Sequence, residues 1–424
     1  MPTLSHSIPS SENIVRHTLD NGITVLVYEN PAVQSVVLTG EFAGGAVYER
    51  ADRRGLATMT AGAVMRGTQN RSFEALSDQL ESIGADLEVE ANRYSVGFDG
   101  KGLAEDLPVL VELLADVLRY PTFPEAQIER LRGETLTVLN YYQQDTSYLA
   151  RRGFVETLYP EGHPHHATTM GTLESVAAIT LDDLHDYHRK LFGPKQMHLV
   201  IVGNIKAAEA LEVVRGWFSD WSNPDQPSIL PSPAAPVPTT PKRVHRHVTG
   251  KSQSDIVMGF AGPARHEADY IPAVLANSVL GEFGMMGRIG DVVREEKGLA
   301  YHSRSSIEGG HGPGAWAAYA GVSPDDVEEA VEAIVEEFRR IVEEPVTAEE
   351  LEDVKLNYVG GLPLRLESNE GIAASIARME SYQLGLDYLL NYPEMIQACT
   401  LESLQQAAAH YINPAVVTVS VAGA

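Results

Sequence analysis

Three closely spaced histidines have the side chains best suited to bind a metal ion. His163, His165 and His166 lie within a short segment, and imidazole is a common ligand of transition metals. Pro164 interrupts them, however, and the loop is too short to arrange three rings around one ion. We therefore interpret these histidines as structural. We interpret His311, in a glycine-rich stretch, as a histidine of a solvent-exposed turn.

A second candidate site lies in the segment Gly55–Thr68, which reads GLATMTAGAVMRGT. Its glycine, alanine and Gly-Thr positions resemble the G-x-A-H-x-x-E-H-x-x-x-x-G-T segment of the insulinase/pitrilysin-type (M16) metallopeptidases. In that family two histidines four residues apart on one helix bind zinc, and the glutamate between them polarises the metal-bound water. The resemblance implies the same framework around an altered site.

The residues that carry the chemistry of this motif are absent. Thr58 and Gly62 occupy the positions of the two histidines, and Ala61 occupies that of the glutamate. The third ligand of the family, a glutamate 76 residues after the second histidine, corresponds to Val138. None of these side chains can replace an imidazole or a carboxylate at zinc. We interpret Glu134, one helical turn before Val138, as a solvated helix residue and not as a substitute ligand.

The segment Val293–Tyr301 resembles the R-x-x-x-G-L-A-Y element, or R/Y motif, of the same family. In M16 peptidases this arginine and tyrosine reach the zinc site of the other half, hold the substrate and stabilise the oxyanion. The resemblance implies these roles for Arg294 and Tyr301, and a guanidinium and a phenol are suitable donors. An isolated pair would fit a salt bridge at a helix end and a core residue instead. Gly281–Arg288 fits the glycine-rich turn that precedes this helix in the family.

The composition argues against several classes of protein. The net charge of −26 argues against nucleic-acid binding, which requires a basic face. No stretch approaches the roughly 18 uncharged apolar residues of a membrane span. Met1–Arg16 is polar and lacks the apolar core of a secretory signal, and the single cysteine, Cys399, excludes an internal disulfide framework. We therefore expect a cytoplasmic protein without a membrane partner.

A proline-rich segment divides the chain into two parts. Trp221–Pro241 contains seven prolines and cannot hold a helix, so we expect an extended linker. The predicted domains are residues 1–220 and 246–424, joined by a linker over residues 221–245.

The two parts share a pattern with a constant offset of 220 residues. Thr180 and Thr400 each begin a helical segment, which leads to a turn with proline and to a strand. The two strands end at Gly203 and Gly423. Such a match without a gap predicts an internal repeat.

Local signals alternate between strands and helices. A turn at Leu19–Gly22 precedes a predicted strand over Ile23–Tyr28. Apolar residues recur at helical spacing over residues 107–118. Ser323 as N-cap and a capping box at Thr347–Glu350 predict two further helices. We therefore predict an α+β fold of two homologous repeats, each a sheet covered by helices. The M16 resemblance implies the mainly antiparallel sheets of the LuxS/MPP-like metallohydrolase fold.

The resemblance extends from about Arg16 to Gly423 and is greatest to the non-catalytic subunit of bacterial heterodimeric M16B peptidases. It implies a partner subunit with H-x-x-E-H and zinc, a clamshell formed by the two subunits, and unfolded peptides as substrates. This chain itself would bind no cofactor, and Arg294 and Tyr301 would complete the active site of the partner. Two alternatives remain open: a structural core protein with a degenerate zinc site, and a peptide-binding homodimer without catalysis.

Overall fold

The structure is a computed structural model that describes residues 8–228, 230, 232–284 and 287–424. Ile229 and Pro231 of the predicted linker lie outside these residues, as do Met285 and Met286 of the predicted glycine-rich turn. The described chain forms two compact units, and each unit contains one sheet with helices packed against it. The predicted α+β class is therefore confirmed.

The first unit contains a six-stranded sheet. Its strands are β1 (Ile14–Thr18), β2 (Thr24–Glu29), β3 (Ser35–Ala43), β4 (Asp86–Ala91), β5 (Ser95–Leu103) and β6 (His198–Gly203). Their order is β1-β2-β6-β3-β5-β4. Only the β2/β6 pair is parallel among these described strands, so the sheet is mainly antiparallel.

The second unit contains a five-stranded sheet. Its strands are β7 (Lys242–His247), β8 (Ser254–Ala261), β9 (Ala300–Gly309), β10 (Pro313–Val322) and β11 (Thr418–Gly423). Their order, β7-β11-β8-β10-β9, repeats the order β2-β6-β3-β5-β4 of the first sheet, and the β7/β11 pair is again parallel. The predicted internal repeat is therefore confirmed.

The helices follow the chain as α1 to α15. They are α1 (Leu56–Val64), α2 (Phe73–Ser82), α3 (Leu107–Arg119), α4 (Glu125–Tyr142), α5 (Thr146–Leu158), α6 (Leu173–Ala178), α7 (Leu181–Leu191), α8 (Ala207–Phe218), α9 (Tyr270–Gly281), α10 (Gly287–Gly290), α11 (Val327–Glu343), α12 (Ala348–Arg365), α13 (Asn369–Ser381), α14 (Tyr388–Gln397) and α15 (Leu401–Tyr411). Within the described residues, none of these helices combines the length and the apolar character needed to cross a membrane.

Several local predictions can be compared directly with these elements. α7 and α15 begin after capping boxes at Thr180 and Thr400, with the predicted offset. The capping box at Thr347 is also present, because Thr347 and Glu350 exchange hydrogen bonds of 2.7 and 3.1 Å. Ser323 differs: its side chain makes no capping hydrogen bond, and a 3-10 turn over Pro324–Asp326 precedes α11. The described part of Trp221–Pro241 contains no helix or strand, as its prolines predict.

Each compact unit includes a segment from the other part of the sequence. Asn140–Thr168 belongs to the second unit, where α5 packs on β7, β8 and β11. Leu362–Asn391 belongs to the first unit, where α13 packs on β3 and β6. The units therefore differ from uninterrupted halves of the chain. The central strands β6 and β11 are buried at every residue, so the second face of each sheet also needs a covering helix.

The contact between α5 and its sheet depends on a glycine. A Cβ atom at Gly153 would overlap Ser420 Oγ and lie 3.0 Å from Arg246 Nε. We therefore expect Gly153→Val to reduce the free energy of unfolding by about 1–3 kcal/mol, measured by urea denaturation, because the contact becomes overpacked. Gly133→Val on α4 is the control, since a Cβ there has no neighbour within 4 Å. Equal midpoints for the two variants would contradict this account of the contact.

Candidate functional site

The helix aligned with the zinc motif, α1, keeps the geometry of that motif without its chemistry. Ala61 is buried, whereas Thr58 and Gly62, four residues apart, share the partly exposed side of the helix. Thr58 Oγ1 donates a hydrogen bond of 2.9 Å to the carbonyl oxygen of Thr169. The two histidine positions therefore lie on one side, as a metal site would require, but the only polar side chain there already bonds to the backbone.

The position of the third ligand lies on α4. Val138 is 40% exposed on that helix. Leu131 of the same helix would be 3.4 Å from a Cβ atom at Gly62, so α1 and α4 lie side by side in the first unit. The structure thus brings the helices of the motif together, although their aligned residues are a threonine, a glycine and a valine.

Glu134 is an exposed residue of α4, as predicted, and it also forms ion pairs with two arginines. Its carboxylate lies 2.7 Å from Arg66 and 3.1 Å from Arg130. Burial raises the pKa of Glu134, but the two arginines outweigh this effect and hold the pKa below its ordinary value. The carboxylate is therefore held as the anionic partner of two cations, which does not favour a role as a substitute ligand.

Zinc does not fit the side chains at the aligned positions. Among the described residues, no three His, Cys, Asp or Glu side chains are grouped in a way that could hold a metal ion. The aligned positions offer a hydroxyl group, a methyl group, an isopropyl group and no side chain, and none of these is a zinc ligand in this motif.

The histidines near residue 163 surround one tyrosine. The rings of His163 and His165 lie 4.7 and 5.2 Å from the ring of Tyr159, and His166 Nδ1 is 2.9 Å from the Tyr159 carbonyl oxygen. These contacts give the three rings a packing role within the second unit. His311 lies in the turn between β9 and β10, as predicted, and is partly exposed there.

Arg294 lies in a π-helical turn that continues α10. This turn spans Asp291–Glu296 and is followed, after Lys297, by Gly298, whose φ of +65° favours glycine. Val293 is fully buried, whereas the Arg294 side chain is 30% exposed and lies 3.4 Å from the neighbouring Glu295. A salt bridge at the helix end is thus present, but its partner is itself exposed, so the guanidinium keeps contact with solvent.

Tyr301 projects into solvent because of a register shift at the start of β9. Ser303 pairs with Ala320 and Ala300 pairs with Val322, so three residue steps on β9 face two on β10. The extra residue lets both Ala300 and Ser303 remain buried while Tyr301, between them, is 88% exposed. Bulges of this kind redirect side chains. Tyr301 is therefore not a core residue, and no partner of its hydroxyl group is found among the described residues.

Two sets of contacts hold the elements that carry Arg294 and Tyr301. Arg288 at the start of α10 makes two hydrogen bonds of 2.8 Å to Glu350, and this pairing lowers the pKa of Glu350 to about 2. On β9, Ser303 Oγ donates to the Ile289 carbonyl oxygen, and Ser305 Oγ donates to Asn277 Oδ1 at 2.7 Å. These contacts are not predictable from local sequence patterns, because their partners are distant along the chain.

A carboxylate that the sequence analysis also missed caps α1. Glu49 accepts hydrogen bonds from the backbone N–H groups of Gly55 and Ala57, at 3.1 and 2.7 Å. Burial raises the pKa of Glu49 to about 7, although these two N–H groups and two nearby arginines act in the opposite direction. Glu49 stands six residues before the N-cap Gly55, outside the span of local capping motifs.

The glycine at the second histidine position costs helix stability. Its φ lies in the ordinary range, and a Cβ atom would meet Leu131 at an ordinary contact distance of 3.4 Å. We therefore expect Gly62→Ala to raise the free energy of unfolding by about 1 kcal/mol in chemical denaturation. Gly55→Ala should have the opposite effect, since Gly55 has a φ of +91° and its Cβ would lie 2.6 Å from the Met170 carbonyl oxygen. A loss of stability in Gly62→Ala would show that the α1–α4 contact has no room for a methyl group.

The raised pKa of Glu49 predicts a dependence of stability on pH. Because the folded pKa of about 7 exceeds the ordinary value of 4.5, the folded state binds the proton more tightly. This contribution to stability is complete below about pH 4.5 and is lost as the pH rises through 7. Compared with Glu49→Gln, the wild-type chain should lose about 1–3 kcal/mol of unfolding free energy between pH 5 and about 8. The Glu49→Gln variant keeps all other carboxylates, so comparison with it removes the effect of their mutual repulsion on the unfolding free energy. Parallel pH profiles of unfolding free energy for the two chains would contradict the prediction.

Comparisons with known proteins find M16 peptidases among the proteins that this chain resembles. The model described as "Insulinase (Peptidase family M16)" matches residues 24–172, and the model "Peptidase M16 inactive domain" matches residues 178–358. YmxG, an uncharacterized zinc protease of Bacillus subtilis, is 25% identical over 356 residues, which cover 84% of this chain and 85% of YmxG. The mitochondrial-processing peptidase subunit beta of Saccharomyces cerevisiae is 23% identical over 390 residues, covering 88% and 83% of the two chains.

Solved structures show the same fold. The crystal structure of a peptidase M16 inactive domain from Pseudomonas fluorescens has a TM-score of 0.89 and 23% identity, covering 97% of this chain and 98% of that chain. A protease from Helicobacter pylori has a TM-score of 0.90 and 19% identity, covering 98% and 100%. The two M16 models match successive parts of the chain and together span most of it. The chain therefore belongs to the M16 peptidase family, and residues 178–358 match the inactive domain of that family.

Proposed function

We propose that this chain is the non-catalytic subunit of a heterodimeric M16 zinc peptidase. It supplies Arg294 and Tyr301 to an active site whose zinc and H-x-x-E-H helix belong to a partner subunit. The exposure of Tyr301 is the observation that carries this proposal. A bulge places an 88% exposed phenol beside the π-helical turn in sequence, where no fold requirement calls for it.

The state of the α1 helix supports the same division of roles. All of its ligand and base positions have lost their chemistry, and no metal-binding group is found among the described residues. The framework around those positions nevertheless remains, including the cap from Glu49 and the packing of α1 beside α4. A chain that keeps the framework and the exposed donors, but no ligands, fits the role of a subunit that completes a site located elsewhere.

The chemistry suits the cleavage of a peptide bond. Attack on the scissile carbonyl places negative charge on its oxygen, and donors that are already in position stabilise this charge without reorganisation. Arg294 brings a permanent positive charge and a planar set of N–H donors, and Tyr301 brings a neutral O–H donor. In the proposed complex both side chains donate to the oxyanion, while the partner supplies the metal.

The proposed partner and substrate follow from the family. The yeast relative is named as the beta subunit of a processing peptidase, which supports an assembly of unlike chains. We propose that the two subunits close as a clamshell on unfolded peptides in the cytoplasm. A nucleic acid is not a proposed partner, because the net charge of −26 would repel it.

The isolated chain should not cleave peptides, and a complex with an H-x-x-E-H homologue should do so. In that complex, Arg294→Ala and Tyr301→Phe should each lower kcat by about 10²-fold, as the loss of an oxyanion donor does. The measurement is cleavage of a fluorogenic peptide at saturating substrate. Arg189→Ala and Tyr120→Phe, in the first unit, are matched controls that should retain wild-type activity.

Each other outcome has a definite meaning. Full activity of both variants in an active complex would contradict the assigned roles. A stable complex without peptidase activity would favour the structural core protein. A homodimer that binds peptides and recruits no homologue would favour the peptide-binding alternative.

A further inference from the structure

Two arginines of the second unit converge on one tyrosine beside β9. The guanidinium carbon of Arg304, on β9, lies 4.8 Å from the centre of the Tyr319 ring. The guanidinium carbon of Arg151, on α5, lies 5.3 Å from the same centre. Tyr319 is half-buried on the adjacent strand β10, and both arginines are exposed. The ring therefore orients two cations while leaving their N–H groups open to solvent.

Among the described residues, these two arginines lack the carboxylate partners that many other cations of this acidic chain have. Within the described residues, neither Arg151 nor Arg304 makes a salt bridge, although the chain has 58 acidic and 32 basic residues. Arg152 and Arg246, close by on α5 and β7, both pair with Glu156. Glu308 is the acidic residue that acts on Tyr319 electrostatically, yet it forms no salt bridge with either arginine. The tyrosine thus holds two guanidinium groups whose charges are not neutralised by ion pairs.

The strand that carries Arg304 also has an open edge. β9 is the last strand of its sheet and pairs only with β10, so its other edge has no strand partner within the described residues. An extended peptide can add to such an edge through its backbone. Tyr301 is the second residue of the same strand, and Arg304 follows about 10 Å further along, given a rise of about 3.3 Å per residue.

We propose that Arg151, Arg304 and Tyr319 form a subsite for an acidic side chain of an extended peptide that adds to the open edge of β9. The planar N–H groups of arginine match the geometry of a carboxylate. The strand edge supplies sequence-independent affinity, and the arginines select for aspartate or glutamate. Peptide binding at this subsite does not depend on the proposed function, but its role in cleavage rests on it. In that role the subsite would place the acidic residue about three positions from the bond presented to Tyr301.

Peptide binding to the isolated full-length chain tests the subsite without the partner. The probe is a short fluorescein-labelled peptide of alternating threonine and valine with one central aspartate, compared with the same peptide carrying asparagine. Fluorescence anisotropy should show about tenfold tighter binding of the aspartate peptide, as expected for charge-assisted hydrogen bonds. The preference should shrink in Arg304→Gln and in Arg151→Gln and vanish in the double variant.

Two controls separate the parts of the proposal. Arg189→Gln removes an exposed arginine that is paired with Asp186, and it should leave the preference unchanged. N-methylation of alternate backbone nitrogens in the aspartate peptide should abolish binding if the peptide adds as a strand. Retained affinity of the methylated peptide would overturn strand addition, and a preference that survives in the double variant would overturn the arginine subsite.

The outcomes are distinct from those that test the proposed function. Equal affinity for the two peptides, or no saturable binding of either, overturns this inference whatever the complex cleaves. Conversely, a chain with the predicted preference and an inactive complex would leave the subsite standing and remove the peptidase role. Tighter binding of a phosphoserine peptide than of the aspartate peptide would overturn the assignment to carboxylates.

Discussion

The burial of both faces of each sheet is the constraint on which the rest of the structure depends. β6 and β11 are buried along their whole length, so helices must cover two faces of each sheet. One face of the first sheet packs with helices such as α1 and α3 in a large apolar core. The other requires α13, and α5 has the corresponding place in the second unit. Each unit therefore depends on a helix that the chain supplies from its other part.

The separation of the packed side of α1 from its partly exposed side explains how the fold can exist without the metal ligands of the motif. The residues of α1 that pack in the core, including Ala57 and Ala61, are separate from the partly exposed side with Thr58 and Gly62. Substitutions on that side change chemistry but remove little buried apolar area, so their cost in stability is small. Arg294 and Tyr301 are exposed to solvent in the same sense. Packing does not account for the phenol of Tyr301, which is 88% exposed, whereas the Arg294 side chain is 30% exposed and pairs with Glu295.

Much of the fold was predictable because its signals are local. Proline content identified the extended segment, and the capping box at Thr347 identified the start of α12. The helical segments that begin at Thr180 and Thr400, with their constant offset, identified α7, α15 and the repeat. The exchange of α5 and α13 was not predictable, because amphipathic periodicity shows that a helix has a buried side but not which sheet it covers. Likewise, the ion pair between Glu134 and Arg66 joins residues that are 68 positions apart.

The sequence by itself determined which chemistry this chain lacks. Residue types alone show that Thr58, Ala61, Gly62 and Val138 cannot bind or use zinc. Only the tertiary structure decided which of the remaining groups face solvent. Ser303 is buried, so strict alternation along β9 would also bury Tyr301. The bulge against β10 instead turns the Tyr301 side chain to solvent. The pairing of Arg151 and Arg304 over Tyr319 was equally hidden, since it joins a helix and two strands that only the folded sheet brings together.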